Sequence, residues 1–331
     1  MKIFIDPFFR SIYERNNLVL VDVGASGGFA PNWKPAAKYL RVIGFEPDER
    51  EYKNLASKSE DKIRYLNIAL HGLQGEVDFF LTRKQQASSI YRPNRSLVDQ
   101  FPESSRFDIL KTVKLKTDTL DHQFQINNIQ DADFLKVDTQ GSELAIMQGA
   151  KKTIQEQIIG IEVEVEFAML YEGQPLFTDV DMFLRQQGFQ LMDLSSYFWK
   201  RSGGELLGKQ RGQIICADAL YMRTKESFEL LIGSIDGQEL KKAKILKIMA
   251  ISALYGYFDY AAFIFEGLKN HFTKEEQDEI KRWFESSRGP CYLLPSFRGK
   301  GKLARISYSI SEFLRTVYHN WATVERDLGN S

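Results

Sequence analysis

Residues 18–28, LVLVDVGASGG, form a valine-rich apolar run that ends in Asp22 and Gly24 and opens into a glycine-rich turn. A short apolar run of this kind reads as a strand buried on both faces of a parallel sheet. A second run, RVIGFEP at 41–47, closes on Glu46 and Pro47, and NWKPAAKYL at 32–40 is long enough to supply one crossover helix between them. Strand, crossover and strand make a βαβ unit.

The alternation continues outward. Helical spacing covers DEREYKNLASKS (48–59), followed by the strand IRYLNIAL (63–70) and, after a turn, the alternating strand GEVDFFLT (75–82). Then come the strand DFLKVDTQG (133–141), the helix SELAIMQGAKKTIQE (142–156), the strand IIGIEVEVEF (158–167) and the helix DVDMFLRQQGF (179–189). Two late strands follow, QLMDLSSYFWKR and QIICADALYMR, joined by the turn-rich SGGELLGKQRG. The pattern predicts a doubly wound, Rossmann-like α/β sheet in which a reversed strand closes an otherwise parallel order. Beyond residue 224 the β-branched runs stop. The spacing in SFELLIG, ELKKAKILKIMAISALY, KEEQDEIKRWFESS and ISYSISEFLRTVYHNWATVERDL predicts an all-helical tail, with SSRGPCYLLPSFRGKGK as a loop. The expected organisation is an N-terminal helix or extension over 1–17, an α/β domain over 18–224 and a helical C-terminal domain over 225–331.

Length and composition agree with a folded chain of that size. Of 331 residues 43% are hydrophobic, enough for two domains or one large domain with an appendage. Basic and acidic residues number 44 each, so no overall field gathers phosphates, and nucleic acid is not the expected partner. Cys216 and Cys291 stand far apart and the first residues lack an export signal, which gives the expectation of a reduced, cytoplasmic protein. The apolar stretch from Ile248 to Leu268 follows Lys241, Lys242, Lys244 and Lys247, as a membrane-surface helix would. Asp259, Glu266 and Gly256 interrupt it, however, and the reading adopted is a helical hairpin buried in a core, without stable membrane insertion.

The chemistry gathers at the strand ends. The loop after the first strand fails the dinucleotide pattern G-x-G-x-x-G, because Ser26 and Phe29 stand where the second and third glycines belong, and the phosphate loop G-x-x-x-x-G-K-[ST] is absent. What it offers is Asp22 before the glycines and Glu46 at the next strand end, a carboxylate able to bridge two ribose hydroxyls. Each acid alone also reads as a cap or an exposed charge. A phosphate-free adenosine ligand with a cationic amino-acid end, S-adenosylmethionine, suits the pair better than NAD.

VDVGASGG, IGFEPDE, NIALHGLQGEVDFF, ASSIYRP, the TLD of KTDTLDHQF, DFLKVDTQGSELAIMQGA and IGIEVEVEF, in that order, resemble the motifs of the FkbM family of S-adenosylmethionine-dependent methyltransferases. The resemblance covers residues 18–222. It implies a class I methyltransferase sheet of seven strands with the last antiparallel, and O-methylation of a sugar or polyketide-type hydroxyl. Carried over, it puts Asp22, Gly24, Ala25, Ser26 and Gly27 at the methionine end of the cofactor, Glu46 with Pro47 at its ribose, Ile68 and Ala69 near adenine, and Asp138 at the transferred methyl. The family often has Glu where this chain has Gln140.

A hydroxyl acceptor needs a base or a metal. Asp138, His71 and Glu164 are the expected catalytic groups. Glu162, Glu164 and Glu166 share one face of their strand by period two, an odd stripe for a central strand unless its upper end lines the mouth. Asp138, Glu164 and Glu166 could also hold Mg²⁺, while nothing supports zinc. Ser88, Ser89, Gln140, Glu166, Tyr171 and Gln174 are the expected acceptor contacts, with Trp33, Tyr91 and Arg92 as further candidates. The expected activity is O-methylation of a sugar, glycan precursor or related small molecule. An NAD-dependent oxidoreductase or epimerase, and a scaffold that binds a partner or a second copy through its helical tail, remain alternatives.

Overall fold

The computed structural model describes residues 1–25, 27–57, 61–203, 212–287, 298–317, 321–324 and 328, with backbone alone for 312–317. The chain starts with α1 (Pro7–Arg15), capped by the Asp6 carboxylate, and β1 (Leu18–Val23). A 3-10 helix (Pro31–Tyr39) leads to β2 (Leu40–Phe45), then α2 (Glu49–Ser57), β3 (Ile63–Leu66), β4 (Ala69–Leu70) and β5 (Gly75–Thr82). Next come α3 (Arg95–Val98), β6 (Ile109–Asp118), α4 (Leu120–Ile126), β7 (Phe134–Val137), α5 (Glu143–Gln148) and α6 (Lys151–Glu156). β8 (Gly160–Glu166), α7 (Phe177–Gln186), β9 (Phe189–Trp199) and β10 (Gln213–Arg223) complete the α/β part. The tail holds α8 (Lys225–Ser234), α9 (Gln238–Leu254), α10 (Phe258–Leu268), α11 (Lys274–Ser286), α12 (Lys300–Val317) and β11 (Ala322–Val324).

The main sheet has eight strands in the order β11-β9-β10-β8-β7-β1-β2-β3. β1 pairs in parallel with both β2 and β7, and β10 runs antiparallel to both β8 and β9. The chain thus winds one way through β2 and β3 and the other way through β7 and β8. The reversal lies between β1 and β7, where open α/β sheets bind ligands. The seven expected strands are there among the described residues, the last of them, β10, reversed. The eighth, β11, corrects the expectation of an all-helical tail, because it pairs antiparallel with β9 where a helix over 306–328 was expected.

Other differences have local causes. IRYLNIAL breaks at Asn67, whose side-chain amide donates to the carbonyls of Glu46 and Pro47 at 2.9 and 3.1 Å, so β3 stays in the main sheet while β4 joins a small sheet of order β4-β6-β5. β6 escaped the sequence reading although Lys114 and Lys116 alternate with Val113 and Leu115 in ILKTVKLKTD. The crossover over 31–39 is 3-10 rather than α, with Pro35 inside it lacking the N–H that an α-helix would donate to the Pro31 carbonyl. The helix expected over 142–156 is two, broken at Gly149, where a Cβ would come within 2.4 Å of the His71 carbonyl oxygen.

Each face of the sheet has its own core. Val19, Val21, Val23, Leu135, Ile161 and Val163 pack under α4 to α7. Leu18, Leu20, Phe134, Leu220 and Met222 pack against α1, α8, α9 and α10 in one continuous cluster, so the apolar core runs across residue 224 without a gap. The Ile248 to Leu268 hairpin lies in this cluster. Among the described residues no helix is long and apolar enough to cross a membrane. The lysines before the hairpin meet acids: Lys242 donates to Glu276 at 2.7 Å, and Lys244 and Lys247 reach Asp133 at 2.7 and 2.8 Å. Asp133 is fully buried and its Oδ2 also accepts from Val19 N–H at 2.8 Å. Burial alone would raise the Asp133 pKa, but the two lysines overrule it and hold it below the ordinary value.

Removing one partner of such a group leaves uncompensated charge in the core. Asp133→Ala is expected to cost about 3–5 kcal/mol in urea denaturation. Replacing the three groups together, Asp133→Leu with Lys244→Met and Lys247→Met, should recover most of that loss.

Candidate active site

A cavity of about 1020 Å³ opens at the carboxyl ends of β1, β2, β7 and β8. Val23, Gly24, Phe45, Glu46 and Pro47 form one side, and Lys136, Asp138, Thr139, Gln140 and Glu164 the other. The small sheet covers it as a hood. Val77, Phe79 and Leu81 of β5 and Val113 and Leu115 of β6 share one face by register and line the cavity with Ile90 and Ser88.

The turn after β1 is tight for a steric reason. Gly24 has φ +84°, and a Cβ there would lie 2.0 Å from the Asp138 carbonyl oxygen, so only glycine lets the turn cross the end of β7. On the other side Gln140 is itself left-handed at φ +59°, followed by Gly141 at +106°. Glu143 holds this turn, its carboxylate accepting from Thr139 N–H at 2.7 Å and Gly141 N–H at 2.9 Å. Gln140 is thereby aimed. Its Nε2 donates to Glu164 Oε2 at 2.5 Å, its Oε1 lies 3.1 Å from the Tyr171 hydroxyl, and its carbonyl accepts from Ser89 Oγ at 2.5 Å.

Below the cavity a charged layer crosses the sheet. Register places Asp22 beside Lys136, Lys136 beside Glu162, and Glu164 beside Asp218. Lys136 Nζ lies 3.9 Å from Asp22 Oδ1 and 3.5 Å from Asp138 Oδ2. Burial would lower the Lys136 pKa, but Asp22, Asp138, Glu162 and Asp218 together raise it. Tyr255, from the end of α9, donates to Glu162 Oε2 at 2.6 Å. Burial dominates the acids: it lifts Asp22 to about 6, Glu46 to about 7, Glu143 to about 7 and Asp218 to about 6. It also raises Glu164 and Glu166 well above the ordinary range, with neighbouring carboxylates adding to the effect. Asp22 Oδ1 is buried with no hydrogen-bond partner.

The cavity therefore gathers Gly24, Glu46, Pro47, Ile68, Ala69, Ser88, Asp138, Gln140 and Glu164 from the expected set. Ser26 lies outside the described residues. Asp22 sits beneath the cavity, next to Lys136, and Ala25 is buried in the turn. His71 corrects an expectation. It is absent from the cavity lining, its N–H bonded to the Asp118 carbonyl and its own carbonyl packed against Gly149, because the break at Asn67 carries it away with β4. Ser89, Glu166, Tyr171 and Gln174 also stand behind the lining: Ser89 and Tyr171 brace Gln140, and Gln174 Oε1 accepts from Tyr171 N–H. Trp33 is core, packed on Phe134 and Tyr255, and Arg92 lies over the Phe80 ring. Among the described residues no group of three or more His, Cys, Asp or Glu is arranged to hold a metal, so the Mg²⁺ expected at Asp138, Glu164 and Glu166 has no support.

Sequence reasoning missed Lys136, Glu143, Asp218 and the hood. A lysine inside the buried run FLKVD was a usable signal, since a charge in a central strand needs partners. Glu143, the first residue of a helix, carried none.

Residues 22–191 match the methyltransferase FkbM domain. No curated protein matches the chain. Among solved structures, the methyltransferase FkbM of Methylobacillus flagellatus is 16% identical at a TM-score of 0.36, over 62% of this chain and 44% of that one. This chain thus spans less than half the length of that relative. The magnesium protoporphyrin IX methyltransferase of Synechocystis, solved with bound SAM, is 8% identical at a TM-score of 0.33, over 65% and 76% of the two chains. A SAM-dependent methyltransferase from Anabaena variabilis is 13% identical at a TM-score of 0.31, over 62% and 77%.

The raised acids set a pH dependence. Between about pH 4 and pH 7 the folded chain keeps protons on Asp22, Glu46, Glu143 and Asp218 that the unfolded chain has released. Their stabilisation is complete below the unfolded values and is lost as pH rises through about 6 to 7. The thermal midpoint of the ligand-free protein is expected to fall by several degrees from pH 5 to pH 8, and Glu143→Gln should flatten the slope. A midpoint that climbs across this window would contradict the assignment.

Proposed function

The chain belongs to the FkbM methyltransferase family, and from that membership we propose that it transfers a methyl group from S-adenosylmethionine to a hydroxyl of a sugar, glycan precursor or related small molecule. The observation that carries the reading is the pair of buried acids at successive strand ends. Asp22 Oδ1 accepts no hydrogen bond and has only the Lys136 ammonium 3.9 Å away, and Glu46 uses Oε1 for Asp48 N–H at 2.8 Å, which leaves Oε2 for a ligand. These carboxylate acceptors fit a cofactor that carries an ammonium and a ribose diol and no phosphate. The cavity, at about 1020 Å³, stands at the upper end of small-molecule pockets, which supports room for both reactants.

When bound, S-adenosylmethionine supplies an electrophilic methyl on a cationic sulfur. The residues have to align two reactants and keep the space dry. Glu46 would hold the ribose diol, Ile68 and Ala69 the adenine, and the turn from Gly24 the methionine end. Glu164 is the base: it lines the cavity, Gln140 fixes its direction, and burial raises its proton affinity well above that of an ordinary carboxylate. A glutamate at position 140 would face Glu164 with like charge; glutamine supplies a donor instead. Asp138, held 3.5 Å from Lys136, would lie near the transferred methyl. The hood's carbon-rich face supports an acceptor with apolar surface next to its hydroxyl.

Isothermal titration tests the cofactor half. Glu46→Ala should weaken S-adenosylmethionine binding by about 1–3 kcal/mol, and wild-type affinity should decline as pH falls through about 7 and Glu46 takes up its proton. Asp138→Ala should keep more of the binding and lose turnover. Glu164→Gln should lower kcat by about a hundredfold while cofactor affinity stays within about threefold. A thermal shift with NAD and none with S-adenosylmethionine would overturn the reading.

A further inference from the structure

α12 is the one long described helix whose described side chains are all exposed: every residue from Lys300 to Ser311 faces solvent. Leu303, Ile306 and Ile310 are each more than half exposed. Their spacing of three and four places them on one stripe of the helix. Arg298, Lys300, Lys302 and Arg305 surround the stripe, and no acid occurs from 298 to 311. The whole chain has zero formal charge, so this basic cluster is a local asymmetry that the rest of the protein balances elsewhere. Lys242, Lys244 and Lys247 of α9 look similar in sequence but are neutralised by Asp133 and Glu276. Those of α12 have no such partners: none of Arg298, Lys300, Lys302 or Arg305 has a salt bridge to a described residue.

We propose that α12 is a docking element for an anionic lipid surface, lying in the headgroup plane with Leu303, Ile306 and Ile310 inserted and the basic residues on lipid phosphates. An apolar stripe with cationic flanks is the composition of helices that adsorb in this way. A second copy of the chain is a poorer occupant, because a facing α12 brings no acid from 298 to 311 to pair with the basic cluster, whereas lipid phosphates supply that counter-charge. At about 1.5 Å per residue the helix is far too short in apolar length to span a bilayer, so it adsorbs without crossing. The inference is independent of the methyl-transfer reading.

The test is flotation of the full chain with equimolar phosphatidylcholine and phosphatidylglycerol vesicles against pure phosphatidylcholine. Binding is expected on the anionic vesicles only, at least about tenfold above the neutral ones, and should weaken steeply with salt. Ile306→Glu with Ile310→Glu, and separately Lys300→Glu with Lys302→Glu, should each abolish it, with circular dichroism and S-adenosylmethionine affinity unchanged. Equal binding to both vesicles, or none, overturns the proposal. So does light scattering that shows a wild-type dimer converted to monomer by the isoleucine pair, which would assign the stripe to a second copy.

Discussion

Asp133, a carboxylate with no access to water, governs how the two faces of this protein meet. It stands just before β7 and takes the Val19 N–H of β1 together with the ammonium groups of Lys244 and Lys247 on α9. A buried anion of that kind is tolerated only with its cations in place. The position of α9 is therefore fixed along the sheet as well as against it. One consequence appears at the far end of the same helix, where Tyr255 meets Glu162. Glu162 neighbours Lys136, and Lys136 lies between Asp22 and Asp138. Packing at the foot of the sheet is thus continuous with electrostatics at its mouth.

The mouth itself is strained electrically. Asp22, Glu162 and Asp218 share one lysine, Lys136, while Glu143, Glu164 and Glu166 crowd nearby with no cation of their own among the groups that act on them, and the raised pKa values record how poorly the ligand-free arrangement tolerates full ionisation. A cationic ligand changes that balance, because a positive charge near Asp22 favours the ionised form. Charge demand and ligand charge agree, which is the physical sense of an acidic pocket for a sulfonium compound. The rigid turn at 138–141 adds direction, since Glu143 ties down the backbone on which Gln140 and Asp138 sit.

Much of this was legible in the sequence where local pattern and buried position coincide. The run to Asp22 and Gly24, the strand ending at Glu46 and the alternating acids after Gly160 sit on unbroken strands, and period two alone puts Glu162 and Glu164 on one face. His71 was misplaced because one side-chain amide, Asn67, ends a strand that reads as continuous. The hood stayed hidden because β6 reads as a lysine-rich surface strand; only its pairing with β5 shows that the intervening apolar positions face a cavity. β11 carried too short a signal to register. Three residues gain strand geometry by pairing with β9, a tertiary effect that no local propensity encodes.

That short strand matters for association. Without it, β9 would be the outermost strand of the sheet and present a ladder of free backbone donors and acceptors to any passing chain. β11 occupies part of that ladder, and Trp321 seals it by packing against Trp199 with Arg106 over its ring. A chain clipped upstream of Trp321 would keep its cavity intact yet bare a sticky margin, so proteolytic nicking there would show first as self-aggregation and only afterwards as lost activity.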